Sequence, residues 1–396
     1  PMSAGPESDR APIGRRLSEQ PRRRAQSWHT RPSAPTWTVA LRVITLCAHG
    51  RVRSRGGLSE RLARDMLELP GFVDLQVNGY AGVDFLNPST TVDDILAAAE
   101  ALRRGGTAGF LLTVTTHRRD AIETNVAHAR EAMDRQGPLG NILGIHLEGP
   151  FISPEYGYRG AHTAAYIIPP DLEWFRRLQD TARGAIRMVT LAPETPGAID
   201  FVKAVSDQTL VSVGHANPDF DTLRRAIDAG LRAVTHFGNG CRPEMNRHDN
   251  VLIRILACAE LNLCFIPDGQ HLPEPFLRML LNAVPIDRLV ATSDMVMYAG
   301  MQPGVYDRGG MRVRLRDDGR LCLADDEKLL YGSSRTMLQC MNHLASLKRL
   351  QPGELFETGV ANPLRLIGMD VTEFLRRPVQ LCWNERGGGF APSPGP

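Results

Sequence analysis

Lysine is nearly missing from this chain. Three occur among 396 residues (Lys203, Lys328, Lys348), so arginine supplies almost all of the 46 basic groups, a bias that points to codon composition rather than chemistry. Long apolar runs are absent too. No stretch of 18 apolar residues is free of charge, which excludes a membrane-spanning helix. The best candidate, residues 36–50 (TWTVALRVITLCAHG), is short, interrupted by Arg42 and without a small-residue cleavage pattern, so it does not support a secretory signal. The Arg15-Arg16 pair has no apolar region behind it and is not read as a twin-arginine signal. The seven cysteines are odd in number, scattered, and never spaced as Cys-x-x-Cys. That argues against a disulfide framework and a cysteine-based zinc site, and suggests reduced, mostly buried thiols in a cytoplasmic protein.

The net charge of +2 hides an asymmetry: residues 1–69 carry +7 and residues 70–396 carry −5. Residues 1–35, rich in Pro, Ser and Arg, read as a disordered leader. Its arginines, Arg22-Arg23-Arg24 among them, could hold a nucleic acid or a membrane surface. With few aromatics interleaved beyond Trp28 and Trp37, a solvated tail is the favoured reading, and neither partner is expected.

One strand is expected over 39–47. From residue 70 onward apolar, β-rich runs alternate with helical stretches. Strands are predicted over 71–77, 109–115, 142–147, 186–192, 209–213, 233–236, 263–267 and 288–292. Helices are predicted over 91–104, 119–135, 171–178, 196–205, 218–229, 273–283 and 332–350. Repeated β-α units with buried strands indicate a parallel α/β protein. The count favours a (β/α)8 TIM barrel, with a doubly wound sheet as the alternative. Alternation on either side of Asp317-Asp318-Gly319 reads as an inserted hairpin (312–316 and 320–323), and residues 387–396 (GGGFAPSPGP) as a flexible tail.

Polar residues stand at the C-terminal ends of the predicted strands, where a barrel builds its site. Glu148 ends one strand, His215 a later one, and His236 the next, one strand-helix-strand unit further on. A lone histidine at such a place is as a rule a satisfied core or loop residue. Two histidines and a carboxylate on one rim instead form an open three-ligand site for a divalent cation. Asp294 ends a later strand and could move a proton beside a metal-activated water, although a turn or helix-cap aspartate would look the same. His271 is either a substrate contact or a loop histidine.

Several segments then come together in order: residues 70–85 (PGFVDLQVNGYAGVDF), 144–162 (GIHLEGPFISPEYGYRGAH), Gly214-His215, 235–239 (THFGN), 268–271 (DGQH) and Ser293-Asp294. Over about residues 70–370 the chain resembles the N-acetylglucosamine-6-phosphate deacetylase family of the amidohydrolase superfamily. Where many amidohydrolases place a His-x-His pair on the first strand, this chain has Gln76-Val77-Asn78, and amides are poor ligands for a transition metal. The resemblance therefore implies one divalent ion per subunit, Zn²⁺ first with Fe²⁺, Mn²⁺ or Co²⁺ as alternatives, held by Glu148, His215 and His236. No lysine ends a middle strand, which argues against relatives that bridge two metals with a carbamylated lysine.

The resemblance also implies roles. Asp294 matches the catalytic aspartate. His162, beside Ala161, matches the histidine that contacts the substrate amide carbonyl. Asn239 and Gly240 match a sugar-holding loop. Arg247 and His271 match phosphate contacts, the arginine being supplied by the neighbouring subunit of a homodimer. Leu330, Tyr331 and Gly332 match a loop closing over the sugar. The implied reaction is hydrolytic deacetylation of N-acetylglucosamine 6-phosphate to glucosamine 6-phosphate and acetate. Departures fall on the substrate loop: Asn239-Gly240-Cys241 replaces the usual Asn-Ala-Met, and no Pro-Gly follows Arg247. They leave open an unphosphorylated N-acetyl hexosamine or an N-acyl amino acid as substrate, or a degenerate, inactive barrel. Arg159 is either a further phosphate contact or a surface-loop residue. The family's small β-sandwich is expected only in reduced form, with residues 36–69 and 371–396 as its remnants around a barrel at 70–370 and one strand at 378–383.

Overall fold

The structure is a computed structural model describing residues 68–308, 311–327, 330–384 and 387–393; the leader and the strand expected over 39–47 lie outside the described residues. Eight strands follow one another: β1 (Phe72–Val77), β2 (Thr107–Thr115), β3 (Ile142–Glu148), β4 (Ile186–Leu191), β5 (Leu210–Val213), β6 (Ala233–Val234), β7 (Asn262–Phe265) and β8 (Leu289–Ala291). Each is hydrogen-bonded in parallel to the next, in sequence order from β1 to β8. The ring nearly closes just past the last strand: Val77 pairs with Met295, and the Asn78 amide donates to Met295 O at 2.8 Å. The fold is the expected (β/α)8 barrel and not the doubly wound sheet. Burial explains why its strands were readable. Every residue of β1, β3 and β8 is buried, and all of β2 except Thr115. Strands covered on both faces read as apolar runs.

Helices α1 (Val92–Arg104), α2 (Arg119–Gln136), α3 (Leu172–Thr181), α4 (Ala198–Val205), α5 (Phe220–Ala229), α6 (Val251–Leu256), α7 (Glu274–Ala283) and α8 (Met337–Ser346) intervene or follow. Several starts are set by side chains that satisfy free backbone N–H groups: a Thr91/Asp94 capping box on α1, and Asp171 and Asp219 on α3 and α5. Helix α6 was not foreseen; Asn250 caps it by accepting from the Leu252 and Ile253 amides. The helix expected over 332–350 is shorter. Gly332 has φ +77°, Ser333 pairs with Met295 at the barrel seam, and the helix begins only after Thr336, which makes its own capping box with Gln339.

Two further corrections concern the appendages. The inserted hairpin exists as β10 (Met311–Leu315) and β11 (Leu321–Leu323), but β9 (Gly304–Arg308) adds a third antiparallel strand. The three-stranded sheet closes over Tyr298, Val313, Leu315 and Leu321. Part of the expected flexible tail is strand β13 (Gly389–Pro392), paired with β12 (Leu381–Asn384), whose other edge holds Glu68–Leu69. One aromatic explains it. Phe390 meets Phe72 and Trp383 edge-on, each with centroids 4.9 Å apart, and Asn342 of α8 bonds both its N–H and its carbonyl. This small sheet lies beside the N-terminal ends of β1 and β2, the end opposite the polar residues described next.

Candidate metal centre and active site

Glu148 is the last residue of β3; His215, His236 and Asp294 stand two or three residues beyond β5, β6 and β8. All four therefore sit on the C-terminal rim. His215, His236 and Asp294 have φ of +51°, +33° and +50°. Non-glycine residues in this region carry roughly 1–3 kcal/mol of strain each and cluster at functional sites.

The side chains converge. Glu148 Oε1 lies 2.9 Å from His236 Nε2 and 3.4 Å from His215 Nε2, and the two imidazole nitrogens are 2.9 Å apart. At such separations the Nε2 atoms of His215 and His236 and the Glu148 carboxylate can share one cation, either a proton on His236 or a metal ion. A tetrahedral metal ion with bonds of about 2.0–2.1 Å sets its ligand atoms about 3.4 Å apart. The Glu148–His215 separation matches that spacing, the two at 2.9 Å are shorter, and the donor chemistry of two imidazoles and a carboxylate suits a divalent ion. His215 Nδ1 donates to Tyr158 O at 2.8 Å, which turns the Nε2 lone pair inward. His162 borders the same point: Glu148, His162 and His215 each offer a ligand atom within 4.8 Å of the others, and the His162 and His215 ring centroids are 4.4 Å apart. His162 is anchored through Nδ1 by the Thr116 hydroxyl at 2.7 Å.

Electrostatics separate the roles these groups can play. Burial would raise the Glu148 carboxyl, but its contacts with the His215 and His236 imidazoles and their charges outweigh it and hold it well below the usual range. Burial likewise opposes a proton on His236, yet the bond to Glu148 and its charge raise the imidazole pKa. Burial, with His215 beside it, pushes His162 down to about 3, so its ring is neutral. Desolvation and then repulsion from Glu148 push Asp294 up to about 7, where a carboxylate can both take and return a proton.

The first strand contributes contacts that the sequence reading left unused. Gln76 Nε2 donates to Glu148 Oε1 at 2.8 Å, and Asn78 Nδ2 donates to Asp294 Oδ1 at 2.8 Å. Asp74, fully buried, accepts from Thr292 Oγ1 at 2.6 Å and from the Ser293 amide and hydroxyl at 3.1 and 2.5 Å. The signal was in the sequence: polar residues at alternate positions 74, 76 and 78 of an otherwise apolar strand share one face.

The remaining expected residues divide. Asn239 follows His236 in a tight turn, its amide donating to His236 O at 2.9 Å, and its side-chain nitrogen is buried without a partner. Gly240, at φ +61°, lies against the histidines: a Cβ there would stand 2.9 Å from His215 Nδ1 and 3.1 Å from His236 Cε1. Gly240→Ala is therefore expected to weaken Zn²⁺ binding by roughly 10-fold or more by displacing His215; chelator competition measures it. His271 Nδ1 pairs with Asp268 at 2.7 Å. Tyr331 and Gly332 pack on Tyr298 and Val296, and the Ser333 amide donates to Asp294 O at 3.4 Å, so the loop from Leu330 runs beside Asp294. Ala161 is exposed next to His162. Arg159 donates to His162 O at 2.9 Å and braces its loop. Arg247 is exposed on the 241–250 loop, and among the described residues no polar contact ties it to the donor set.

Comparison with known proteins follows this geometry. No protein-family profile matches the chain. The N-acetylglucosamine-6-phosphate deacetylase of Bacillus subtilis (strain 168) is 33% identical over 284 residues, covering 71% of this chain and 70% of the relative. The N-acetylgalactosamine-6-phosphate deacetylase of Escherichia coli O157:H7 is 28% identical over 302 residues, 76% of this chain and 78% of the relative. Among solved structures, an Asp→Ala variant of the Mycobacterium smegmatis N-acetyl-D-glucosamine-6-phosphate deacetylase in complex with N-acetyl-D-glucosamine-6-phosphate aligns with a TM-score of 0.68 at 27% identity, over 81% of this chain and 86% of that one. With a third of the aligned residues identical over about 70% of both chains, the chain belongs to the N-acetylglucosamine-6-phosphate deacetylase family.

Proposed function

We propose that the protein hydrolyses the acetamide of an N-acetyl amino sugar 6-phosphate, N-acetylglucosamine 6-phosphate first, releasing acetate and the free amine. What supports this reading above all is the convergence of Glu148, His215 and His236 from three strands, with Asp294 across the rim. A divalent ion held by that set, Zn²⁺ first or else Fe²⁺, Mn²⁺ or Co²⁺, would polarise the acetyl carbonyl and acidify a water beside it. Asp294 takes the proton of the attacking water as the C–O bond forms and returns it to the amine as the C–N bond breaks. Asn78 orients that carboxylate through Oδ1. With the Thr116 hydroxyl donating to Nδ1, neutral His162 presents an Nε2–H to the carbonyl oxygen as negative charge develops there. Asn239, Gly240 and the 330–332 loop line the sugar's side of the rim.

The test is acetate release from N-acetylglucosamine 6-phosphate, N-acetylgalactosamine 6-phosphate, the two unphosphorylated sugars and an N-acetyl amino acid, with and without chelator. Chelator-sensitive release from the phosphorylated glucosamine is expected to lead. Equal turnover of phosphorylated and free sugar would overturn the phosphate reading, and no release from any substrate would leave the inactive barrel.

The exposed position of Arg247 fits a homodimer in which it reaches the neighbouring site. His271 is the candidate phosphate contact on the same subunit. Arg247→Ala is expected to raise KM for the phosphorylated sugar by about 10–100-fold, the loss of one charge-assisted hydrogen bond, with kcat little changed. The six described cysteines are all free, which fits the reducing cytoplasm. No described helix is long and apolar enough to cross a membrane.

A further inference from the structure

Beneath the donor set a chain of hydroxyls and one imidazole crosses the barrel, where apolar side chains are the ordinary filling. His146 lies two residues before Glu148 on β3. Its Nδ1 faces the Leu75 carbonyl at 3.1 Å and its Nε2 faces Thr190 Oγ1 at 2.7 Å. Thr190 Oγ1 is 2.6 Å from Thr235 Oγ1, which is 2.7 Å from Ser212 Oγ. All four polar residues are buried.

Valence sets the direction of every bond. A carbonyl only accepts, so the ring proton of neutral His146 sits on Nδ1 and Nε2 is an acceptor. Thr190 gives its one proton to Nε2 and therefore accepts from Thr235, which in turn accepts from Ser212. The chain runs one way, from Ser212 on β5 through Thr235, Thr190 and His146 to Leu75 on β1.

Each strand that carries a donor atom takes part. His146 shares a strand face with Glu148. Thr235 immediately precedes His236, and Ser212 stands on the strand that leads to His215. Gly214, just before His215, rests on two members: a Cβ there would meet Thr190 Cγ2 at 2.8 Å and Thr235 Cβ at 2.9 Å. Buried networks with all members satisfied stiffen their surroundings.

We propose that this hydroxyl chain is the positioning layer of the metal centre, holding Glu148, His215 and His236 at their separations so that it governs metal affinity. The inference rests on the metal-centre reading above. It is tested on the whole 396-residue chain by Zn²⁺ affinity in chelator competition and by the visible spectrum of the Co²⁺-loaded form, with thermal melts alongside. Thr190→Val strips the donor from His146 Nε2, and Thr235→Val cuts the chain. Both are expected to weaken Zn²⁺ binding by about 10–100-fold and to shift the Co²⁺ bands. Ser212→Ala removes only the first donor and should change affinity least, and Thr235→Ser should restore the parent values. Parent-like Zn²⁺ affinity and Co²⁺ spectra in both valine variants would overturn the proposal, as would a Thr235→Ser variant as impaired as Thr235→Val. If Thr190→Val does not fold, the Thr235 pair carries the test alone. A parent protein that binds neither ion would overturn the metal-centre reading and this inference with it, whereas a metal-binding parent with unaffected variants overturns this inference only.

Discussion

Asp294→Asn is expected to lower kcat by about 10²–10⁴-fold while Zn²⁺ affinity stays within a few-fold of the parent. The asparagine keeps an oxygen for the Asn78 amide to donate to, so the rim geometry survives. What is lost is the group that takes and returns a proton near neutral pH. The same variant has a second readout in chelator-treated protein. Desolvation and Glu148 raise the folded-state carboxyl to about 7, above its unfolded value. Between those values the folded chain holds a proton that the unfolded chain has released, so this group makes stability fall as pH rises. Asparagine has no such dependence. The Tm of Asp294→Asn relative to the parent should therefore be higher at pH 8 than at pH 5. Near-parent kcat would sink the proton-transfer role, and loss of Zn²⁺ binding together with kcat would recast Asp294 as a ligand.

The barrel was legible because its strands are buried on both faces, so composition alone marks them as apolar runs ending in polar residues. Glu148, His215 and His236 stood out for the same reason: each interrupts such a run at its C-terminal end. Elements that depend on tertiary partners were not legible. Residues 387–396 have the composition of a tail, and only Phe390, locked between Phe72 and Trp383, draws part of them into a strand. Residues 304–308 pair only because β10 folds back to meet them. Helix formers at 337–346 suggested a longer helix, but the backbone at Gly332 and Ser333 is committed to the barrel seam. Around the donor set, Gln76 and Asn78 read as failed ligands because spacing tests only for histidine. Their amides instead hold Glu148 and Asp294, a use visible only when β1, β3 and the end of β8 stand side by side. Thr190, Thr235 and Ser212 look in sequence like any half-buried strand residues. Nothing in their spacing says that three strands bring the hydroxyls to one line.

Glu148→Gln is expected to weaken Zn²⁺ binding by about 10²–10³-fold and to abolish measurable acetate release, since it removes the one anion of the donor set while conserving volume. The amide oxygen can still accept from Gln76, so the strand stays in place. The pH dependence identifies what competes with the ion. His236 has a raised pKa in the metal-free site because burial is outweighed by Glu148. That proton sits where the ion would bind, so Zn²⁺ affinity should increase as pH rises through the raised value. The metal-free protein moves the other way. The protonated His236 paired with Glu148 contributes stability that is fully present below the unfolded histidine value and is lost as pH rises through the folded one. Both effects widen the gap between loaded and chelated protein toward high pH. With Zn²⁺ at 1,000 times its Kd, linkage gives about 4 kcal/mol, which in a chain of this size is a Tm difference of about 5 °C. Chelator should therefore lower the parent Tm by more at pH 8 than at pH 6. In Glu148→Gln the proton loses its partner as well as the ion its ligand, so the difference should be small and flat with pH. A parent whose chelator shift is equal at pH 6 and pH 8 would mean that His236 carries no competing proton, and would move the competition to another member of the set.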